Sequence, residues 1–473
     1  MLAVSPEFQL TCALKGTTKS IAMHFHIVGG GLAGSEAAWQ VLRAGYPVTL
    51  HEMRPTQMTP AHKTGRLAEL VCSNSLKSMS PGSAPGQLKL EMAAFGSLIL
   101  CAAEAAKVPA GQALAVDREV FSTFIETALQ AEPNFTRQDH EVTALPTAAD
   151  MEARGEIWIV ATGPLTSAPL AAELERLTGG QHRLFFYDAI APVIAADSVD
   201  LEHAFKASRY DREGNTESDG DYLNLPLNKA EYDAFIDALA AAEYMPLHAF
   251  ESTKYFESCL PVEVMVERGR ETLRFGPMKP VGLTNPKTGH RPWANVQLRM
   301  ENTAGTMYSM VGFQTKMKWP EQQRVFALIP ALREAEFLRF GSVHRNTYLK
   351  SPEVLNPDFS VKGSPRLFVA GQLTGVEGYT ESTAIGLLAA RAAVAKARGD
   401  RFEMPPRDSM IGALAHYVTY GGLGDFQPMN ANLGLMPHLE RQRGESKADK
   451  KARQCSAANE RFQKYSVEHR PGI

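Results

Sequence analysis

The stretch His26-Ile27-Val28-Gly29-Gly30-Gly31-Leu32-Ala33-Gly34-Ser35-Glu36-Ala37-Ala38 decides the fold of this 473-residue chain. It reads as an apolar strand, a Gly-x-Gly-x-x-Gly turn and the start of a helix, and a second strand follows that ends in Glu52. The turn glycines allow backbone N–H groups to approach a pyrophosphate, and the Glu52 carboxylate can accept a hydrogen bond from a ribose hydroxyl. We therefore predict a dinucleotide site formed by Gly29, Gly30, Gly31, Leu32, Ala33, Gly34 and Glu52.

The bulk properties of the chain exclude several classes of protein. The chain is too long to fold around one compact core, so two or three domains are expected. A net charge of -3 does not indicate a strongly basic nucleic-acid protein, although a local basic face remains possible. The 5 cysteines are scattered without a Cys-x-x-Cys pair, which argues against disulfides and a structural zinc site. We therefore expect a cytoplasmic protein with no metal. We also expect it to be soluble, because no apolar run is long enough to cross a bilayer.

A second glycine-rich turn occurs late in the chain, at Gly371-Gln372-Leu373-Thr374-Gly375-Val376-Glu377-Gly378-Tyr379. It follows an apolar strand and precedes a long alanine-rich helix, whose N-terminus carries partial positive charge. Such a turn suits the pyrimidine end of a flavin, whereas an NAD enzyme would need only the first turn. We therefore predict FAD as the cofactor, with Gly371, Gln372, Glu377 and Gly378 as further binding residues, and a ligand-free tight turn is the alternative.

The order of patterns predicts an α/β fold in which a Rossmann-like FAD-binding domain is interrupted by an inserted α+β domain. Buried strands at 157–161 and 366–369 and a helix over 382–398 belong to the first domain. Alternating strands are expected at 262–266 and 295–300 in the insertion. The predicted division is an N-terminal extension (1–23), the first FAD-binding segment (24–200), the insertion (201–340), the second FAD-binding segment (341–430) and a charged, helical C-terminal tail (431–473).

Several longer motifs are too specific for a generic flavoprotein. They are Val48-Thr49-Leu50-His51-Glu52-Met53-Arg54-Pro55, Ala68-Glu69-Leu70-Val71-Cys72-Ser73-Asn74-Ser75-Leu76-Lys77, Phe275-Gly276-Pro277-Met278-Lys279-Pro280-Val281-Gly282-Leu283 and Gly312-Phe313-Gln314-Thr315. Together with the second glycine turn, they resemble the TrmFO family of folate- and FAD-dependent tRNA (uracil-5-)-methyltransferases, which are relatives of the GidA-type flavoproteins. The resemblance extends from about residue 24 to 440.

The resemblance implies a reaction and its reactants. A one-carbon unit from methylenetetrahydrofolate would be reduced by FADH2 and left as a methyl group on C5 of the T-loop uridine of tRNA, and NADH or NADPH would reduce the flavin again. No membrane and no stable protein partner is expected. The same reaction on ribosomal RNA is an alternative, and so is a flavin-containing RNA-binding protein that has lost the methylation activity.

Two cysteines are candidates for catalysis. Uracil C5 is a poor carbon nucleophile, so a thiolate would first add at C6 to create an enolate. The resemblance to the family implies that Cys259 is the nucleophile and that Cys72 is the second functional cysteine. Without the resemblance, each would read as a small buried hydrophobic residue. Glu257 and Glu263 flank Cys259 and would disfavour a thiolate unless a neighbouring cation or bound RNA offsets them.

One position departs from the family pattern. Many members carry a cysteine where this chain has Leu225. Because leucine has no thiol chemistry, either that cysteine is dispensable or the chain has lost something.

The insertion mixes cations with aromatic residues, which suits phosphates and unpaired bases of RNA. A solvated face over a small aromatic core is the equally ordinary interpretation. We call this set the basic stretch; it comprises Lys254, Arg268, Arg270, Arg274, Lys279, Lys287, Arg291, Arg299, Lys316 and Lys318 with Tyr255, Phe256, Phe275, Trp293, Phe313 and Trp319.

Overall fold

The structure is a computed structural model that describes residues 23–178, 183–209, 220–245, 260–421, 426–437, 439–440 and 442–469, with the backbone alone for 183–190, 342–346 and 447. The predicted N-terminal extension therefore lies almost entirely outside the described residues. Among the described residues, no helix is long and apolar enough to cross a membrane.

The strands of the described residues are numbered here in chain order. They are β1 (His24–Val28), β2 (Val48–Glu52), β3 (Ser75–Ser78), β4 (Lys107–Val108), β5 (Ala113–Val116), β6 (Phe135–Asp139), β7 (Glu156–Val160), β8 (Arg183–Ile190), β9 (Val193–Ala195), β10 (Phe205–Lys206), β11 (Tyr222–Leu227), β12 (Ala294–Met300), β13 (Met307–Met310), β14 (Phe337–Arg339), β15 (Ser342–Leu349), β16 (Ser360–Val361) and β17 (Ser364–Val369).

The helices of the described residues are numbered in the same way. They are α1 (Leu32–Arg43), α2 (Ala84–Ala94), α3 (Leu98–Ala105), α4 (Arg118–Gln130), α5 (Ala148–Arg154), α6 (Ala168–Leu177), α7 (Lys229–Ala240), α8 (Val262–Glu267), α9 (Thr272–Phe275), α10 (Trp319–Phe326), α11 (Ser351–Val354), α12 (Tyr379–Arg398), α13 (Met410–Tyr420) and α14 (Lys447–Glu468).

The first sheet forms the dinucleotide-binding domain. Its strand order is β16-β17-β7-β1-β2-β6, and all neighbours are parallel except β16 and β17. The carboxyl ends of parallel strands meet at one edge, so this edge carries the first glycine turn, Glu52, Thr162 and Gly371. The strands and helices predicted from the sequence for this domain are confirmed, and so is the α/β fold class.

Helices α1 and α12 cover one face of this sheet and pack closely on each other. In β1, Phe25 and Ile27 are fully buried, and almost the whole of α1 is buried as well. A Cβ added at Gly386 of α12 would lie 2.4 Å from the carbonyl oxygen of Ala33. This close helix contact therefore requires a glycine at position 386.

The second sheet forms the inserted unit. Its order is β10-β11-β12-β13-β9-β14, and its pairings are antiparallel. Its core includes Leu225, Val296 and Phe313, each fully buried. The chain enters this sheet at Val193–Ala195, before the boundary at residue 200 expected from the sequence. That strand is short and wholly buried, so it has no alternating pattern by which a sequence could assign it.

The prediction of a strand over 262–266 is wrong, because these residues lie in helix α8. Pro261 precedes the helix, and Val262 and Val266 are both buried, which is the i, i+4 spacing of one helical face. Glu263 is also buried, and it accepts a hydrogen bond from the hydroxyl of Thr315. The alternation of valines was therefore a poor guide, since a short helix can satisfy the same apolar positions. The strand expected over 295–300 is confirmed as β12.

The charged C-terminal segment forms helix α14 as predicted, but one of its faces is buried. Cys455, Ala458, Phe462 and Tyr465 are buried at helical spacing. Phe462 packs edge-on against Phe95, and both belong to the core of the dinucleotide-binding domain. The segment therefore packs as part of that domain rather than projecting as a tail.

Candidate functional site

The first glycine turn leaves an open space in front of helix α1. Gly29 has a φ of +100°, and a Cβ there would lie 2.7 Å from the carbonyl oxygen of Ala161. A Cβ on Gly34 would lie 1.9 Å from the carbonyl oxygen of Gly29, so the helix and the turn meet without room for a side chain. In contrast, apart from its immediate neighbours in the chain, no described atom lies within 4 Å of the place that a Cβ would take on Gly31. The space in front of Gly31 can admit a ligand.

The N-terminus of α1 suits an anionic ligand. Its N-cap residue is Gly31, which has no side chain to accept the first N–H groups, and its first turn contains no acidic residue. The N–H groups at this end therefore keep their capacity to donate, and the helix dipole favours negative charge there. This arrangement fits a pyrophosphate.

Glu52 is buried at the end of β2, and its carboxylate already has partners. The N–H of Gly30 donates to Oε2 at 2.7 Å, and the Arg54 guanidinium donates to both oxygens, from Nε at 2.9 Å and from Nη2 at 3.1 Å. Burial alone would raise the pKa of this carboxyl, but the hydrogen bonds and charge of Arg54 outweigh it and lower the pKa. Glu52 is thus held as an anion, and a ribose hydroxyl would have to share it with Arg54.

The second glycine turn lies directly against the first. Gly371 has a φ of +68°, and a Cβ there would lie 2.6 Å from the Cβ of Ala33. Glu377 is buried and accepts a hydrogen bond from the side-chain amide of Asn430 at 3.1 Å. Gly378, with a φ of +111°, is the N-cap of α12. The two turns, separated by more than 300 residues, therefore form one site.

A cavity follows the carboxyl edge of the sheet and contacts both turns. One part is bounded by Glu52, Arg54 and His140, and another by Gln372, Tyr379 and Ser382. Not all the predicted cofactor residues line it. Those that do are Gly29, Gly31, Leu32, Ala33, Glu52 and Gln372, whereas Gly30, Gly34, Gly371, Glu377 and Gly378 lie behind this lining and shape the turns.

The cavity fits FAD on three observations of this chain. The open space at Gly31 faces a free helix N-terminus, an anionic Glu52 lies on the neighbouring strand, and a second helix begins at Tyr379 on the cavity wall. These are the features needed for the pyrophosphate, a ribose and the electron-rich end of a flavin ring. In the described residues, no cluster of His, Cys, Asp or Glu could hold a metal ion.

Cys72 contacts Tyr379, which is one of the residues that line this cavity. Its Sγ is 3.0 Å from the Tyr379 hydroxyl oxygen. The same oxygen accepts the backbone N–H groups of Cys72 at 2.8 Å and of Ser73 at 3.2 Å. Tyr379 and Val71 both line the cavity, so the thiol lies behind two residues of the lining. Tyr379 was not among the predicted site residues, although its place after a glycine turn and before a helix was visible in the sequence.

Three arginines from distant segments hold the loop that carries Cys72. Arg118 Nη1 donates to the carbonyl oxygen of Leu70 at 2.6 Å, and Arg339 Nη1 donates to that of Val71 at 3.0 Å. Arg299 Nε donates to the side-chain oxygen of Asn74 at 2.9 Å. We call Cys72, Arg118, Arg299, Glu301, Arg339 and Tyr379 the Cys72 cluster.

The charges of the Cys72 cluster are close enough to alter one another. Burial lowers the pKa of Arg339 to about 10, and the neighbouring charge of Arg118 acts in the same direction. Burial would also lower the pKa of Arg118, but its ion pair with Glu301, at 2.8 Å from Nε to Oε2, raises it. Sequence analysis missed Arg118 and Arg339, because neither lies in a basic run or a recognisable motif.

Several cations of the basic stretch form ion pairs with carboxylates of their own surroundings. Arg270 pairs with Asp237, Arg274 pairs with Glu271, and Lys318 pairs with Glu243.

The aromatic members of the basic stretch differ widely in exposure. Phe313 is a fully buried core residue and Arg299 is buried near Cys72, so neither can meet RNA as predicted. Phe275 is 81% exposed on α9, and Trp319 is 55% exposed and stacks on Phe340. Lys254, Tyr255 and Phe256 lie outside the described residues.

The remaining cysteine positions divide into three cases. Cys259 lies outside the described residues. Cys101 is exposed, whereas Cys455 is buried and its burial raises the pKa of its thiol. Leu225 is fully buried in β11 opposite Val296. A side chain at this position packs in the core of the second sheet, so leucine there is accounted for by packing.

Comparison with known proteins agrees with this geometry. Residues 24–401 match the family described as glucose inhibited division protein A. A protein of Moorella thermoacetica, named methylenetetrahydrofolate–tRNA-(uracil-5-)-methyltransferase TrmFO, is 55% identical over 414 residues, which cover 88% of this chain and 92% of the relative. A protein of Solibacter usitatus with the same name is 51% identical over 445 residues, covering 93% of this chain and 98% of the relative.

Solved structures support the fold. Two crystal forms of GidA from Aquifex aeolicus superpose with TM-scores of 0.66 and 0.67 at 14% and 15% sequence identity. The similarity covers 94% and 95% of this chain and 73% and 76% of the GidA chains. At this identity the likeness concerns the fold alone.

Proposed function

This chain belongs to the TrmFO family, and we propose that it carries out the reaction of that family at the cavity between its two glycine turns. It is a methylenetetrahydrofolate-dependent tRNA (uracil-5-)-methyltransferase with FAD as its cofactor. Methylenetetrahydrofolate provides the carbon, and NADH or NADPH provides the electrons. The finer proposal is that the substrate is the T-loop uridine, which becomes ribothymidine.

The observation that carries the proposed site is the position of Cys72. Its thiol contacts Tyr379, which lines the same cavity as Gly31, Glu52 and Gln372. A reaction that joins a uracil, a folate carbon and a reductant needs all three within contact distance. The contact between Cys72 and Tyr379 supports this cavity as the place where the three meet.

FAD would be held by the features that line the cavity. The N–H groups at Gly31 and at the start of α1 would bind the pyrophosphate, Glu52 would bind a ribose hydroxyl, and Gln372 with the N-terminus of α12 would meet the ring. When bound and reduced, FAD supplies the hydride equivalent that turns a methylene group into a methyl group.

The protein must make C5 of uracil nucleophilic. We propose that a thiolate forms a bond to C6, so that the electron pair of the C5–C6 bond moves onto C5 and the adjacent carbonyl as an enolate. After C5 has formed a bond to the methylene carbon, the C5 proton leaves to a base and the bond between that carbon and the folate nitrogen breaks, with tetrahydrofolate as the leaving group. A hydride equivalent then adds to the methylene carbon, which becomes the methyl group, and the thiolate is expelled from C6, which restores the ring. Cys259 is the proposed nucleophile and Cys72 the second functional cysteine, as the family motif implies.

The function is tested with purified protein, methylenetetrahydrofolate, NADPH and separate tRNA and ribosomal RNA from a strain that lacks the modification. Mass spectrometry should detect 5-methyluridine in the T loop of tRNA. A methyl group found only in ribosomal RNA would overturn the tRNA assignment, and RNA retention without turnover would indicate a binding protein.

The choice of nucleophile is tested with T-loop RNA that contains 5-fluorouridine, which traps the C6 adduct. Cys259→Ala should abolish the covalent protein–RNA band on a denaturing gel, and Cys101→Ser is the matched control that should keep it. An undiminished band in Cys259→Ala would assign the nucleophile to Cys72 instead.

A further inference from the structure

The Cys72 cluster is assembled from five separate parts of the chain. Arg118 is the first residue of α4, and Arg299 is the next-to-last residue of β12. Arg339 is the last residue of β14, and Tyr379 is the first residue of α12. The loop with Cys72 is held between β5 and β12, because the side-chain amide of Asn74 donates to the carbonyl oxygens of both Val116 and Met300. Such an arrangement is specified by tertiary packing and not by a local turn.

Positive charge exceeds negative charge in this cluster. Arg118, Arg299 and Arg339 each interact electrostatically with Cys72, and Glu301 is the carboxylate that these same arginines share. The other charged groups near the loop are Lys63, Glu69 and Asp117. Lys63 adds to the positive side, whereas Glu69 pairs with Arg54 and Asp117 caps α4 and binds Thr303.

Buried donors of the cluster lack acceptors. Arg118 Nη2 and Arg339 Nε are inaccessible to solvent and have no hydrogen-bond acceptor among the described residues. Leaving a buried, charged donor without an acceptor costs free energy. A negative charge on a nearby atom would reduce that cost through its electrostatic attraction.

The hydrogen bonds of Tyr379 indicate which atom carries that charge. Its hydroxyl oxygen has two lone pairs, and it accepts two backbone N–H groups, those of Cys72 and Ser73. The structure has the Cys72 thiol donating to this same oxygen, with Sγ at 3.0 Å. The oxygen then accepts three groups with two lone pairs, and loss of the thiol proton would relieve this by letting the hydroxyl donate to the sulfur instead. Burial and the charge of Cys72 raise the pKa of Tyr379 well above its ordinary value, which keeps the hydroxyl protonated as this requires.

We propose that Arg118, Arg299 and Arg339 are positioning residues that hold Cys72 as a thiolate, with the Tyr379 hydroxyl donating to its sulfur and Glu301 limiting the positive charge. The thiolate is then ready to act on an electrophilic carbon in the cavity without a separate base. The inference concerns the site of the proposed function, but it can be tested without folate or RNA, so the two can fail separately.

The test is the pH dependence of alkylation by iodoacetamide in the FAD-loaded protein, followed at each cysteine by mass spectrometry. The thiolate attacks the methylene carbon and iodide leaves, so the rate reports the thiolate fraction. Cys101 is the internal control, because it is exposed and not in the cluster. The pH midpoint for Cys72 should lie at least ~1 unit below the value of about 8.5 of a free cysteine, whereas that of Cys101 should not.

Removing a positive charge in one variant and a negative charge in another distinguishes this role from a merely structural one. Arg339→Met should raise the Cys72 midpoint by ~1 unit, Arg339→Lys should restore most of it, and Glu301→Gln should lower it. Tyr379→Phe should raise it through loss of the hydroxyl donor. Circular dichroism confirms that each variant is folded. Equal midpoints for Cys72 and Cys101 in the unmodified protein, or shifts in the same direction for Arg339→Met and Glu301→Gln, would overturn the proposal.

Discussion

The basic stretch of the insertion and the Cys72 cluster differ in a way that their sequences do not reveal. The basic stretch contains more cations, but Arg270, Arg274 and Lys318 each lie against a carboxylate. The Cys72 cluster contains three guanidinium groups that share the carboxylate of Glu301. Electrostatic potential in a folded protein thus depends on pairing and burial, and a count of cations along the chain measures neither.

The two regions also suit different tasks. Exposed ion pairs contribute little stability and are screened by salt, so the cations of the basic stretch can exchange a carboxylate for an RNA phosphate at small cost. Buried guanidinium groups cannot move in this way, and they act on whatever atom the fold places beside them. We infer that the basic stretch contributes to RNA affinity, whereas the Cys72 cluster contributes to the chemical step.

Removal of the thiol is expected to have the largest effect. Cys72→Ser should lower kcat for tRNA methylation by roughly 10³-fold or more, because a hydroxyl cannot replace a thiolate near neutral pH. The measurement is single-turnover formation of 5-methyluridine, and the far-UV spectrum and flavin content should stay unchanged.

Cys101→Ser is the matched control for this change, because that cysteine is exposed and neither lines the cavity nor belongs to the Cys72 cluster. It should retain the original kcat. If Cys72→Ser kept a rate within a few-fold of the original, the buried cluster would lose its assigned role in the chemical step.

Loss of an exposed ring should have a smaller effect, and on binding alone. Phe275 is 81% exposed on α9, beside a glycine that starts a turn. An unpaired base can stack on such a ring, and stacking contributes about 1–3 kcal/mol per base. Phe275→Ala should therefore raise KM for tRNA by roughly 10-fold with kcat unchanged.

Leu338→Ala is the control for Phe275→Ala, because it also removes an exposed apolar side chain but lies on β14 outside the basic stretch. Steady-state kinetics with T-loop RNA distinguishes the two variants. A fall in kcat for Phe275→Ala with KM preserved would show that the basic stretch takes part in the chemistry and would remove the contrast between the regions.

The dependence of stability on pH tests whether burial also keeps histidines uncharged elsewhere in the fold. On one face of the first sheet, His26 Nδ1 and His51 Nε2 lie 3.0 Å apart, and Trp158 stacks on both rings. Burial lowers the pKa of both histidines to about 4, and the charges of neighbouring histidines, His24 among them, act in the same direction.

In the unfolded chain these histidines titrate near 6.5, so between pH 6.5 and 4 the unfolded state binds more protons than the folded state. The contribution of these histidines to the free energy of unfolding should be constant above pH 6.5 and should decrease as the pH falls toward 4. His26→Gln should flatten the decrease, and the exposed His290→Gln should not. Urea unfolding at a series of pH values measures this, and equal slopes for both variants would contradict it.

The sequence predicted the first sheet and its glycine turns well, because their requirements are local. Gly29 and Gly34 must be glycines on account of atoms only a few residues away or on the next strand. The Cys72 cluster could not be predicted in this way. Cys72 and Tyr379 are separated by 307 residues, and Arg339 reaches Val71 across 268. Nothing in the local pattern of these segments specifies such contacts, since Tyr379 arrives with α12 and Arg339 with β14.

The smallest effect is expected from a single paired cation of the basic stretch. Arg270 is half-exposed, bonds to Asp237 and lies 3.9 Å from Asp233. Arg270→Met leaves both carboxylates in solvent, where water can hydrate them, so stability should change little. If RNA displaces these carboxylates, the variant should raise KM for tRNA only a few-fold and reduce the slope of log affinity against log salt by ~0.7. Lys451→Met on α14 is the matched control, because it removes an exposed cation outside the basic stretch. Equal salt slopes for the two variants would mean that Arg270 does not exchange Asp237 for phosphate, and the basic stretch would then be a solvated face rather than an RNA surface.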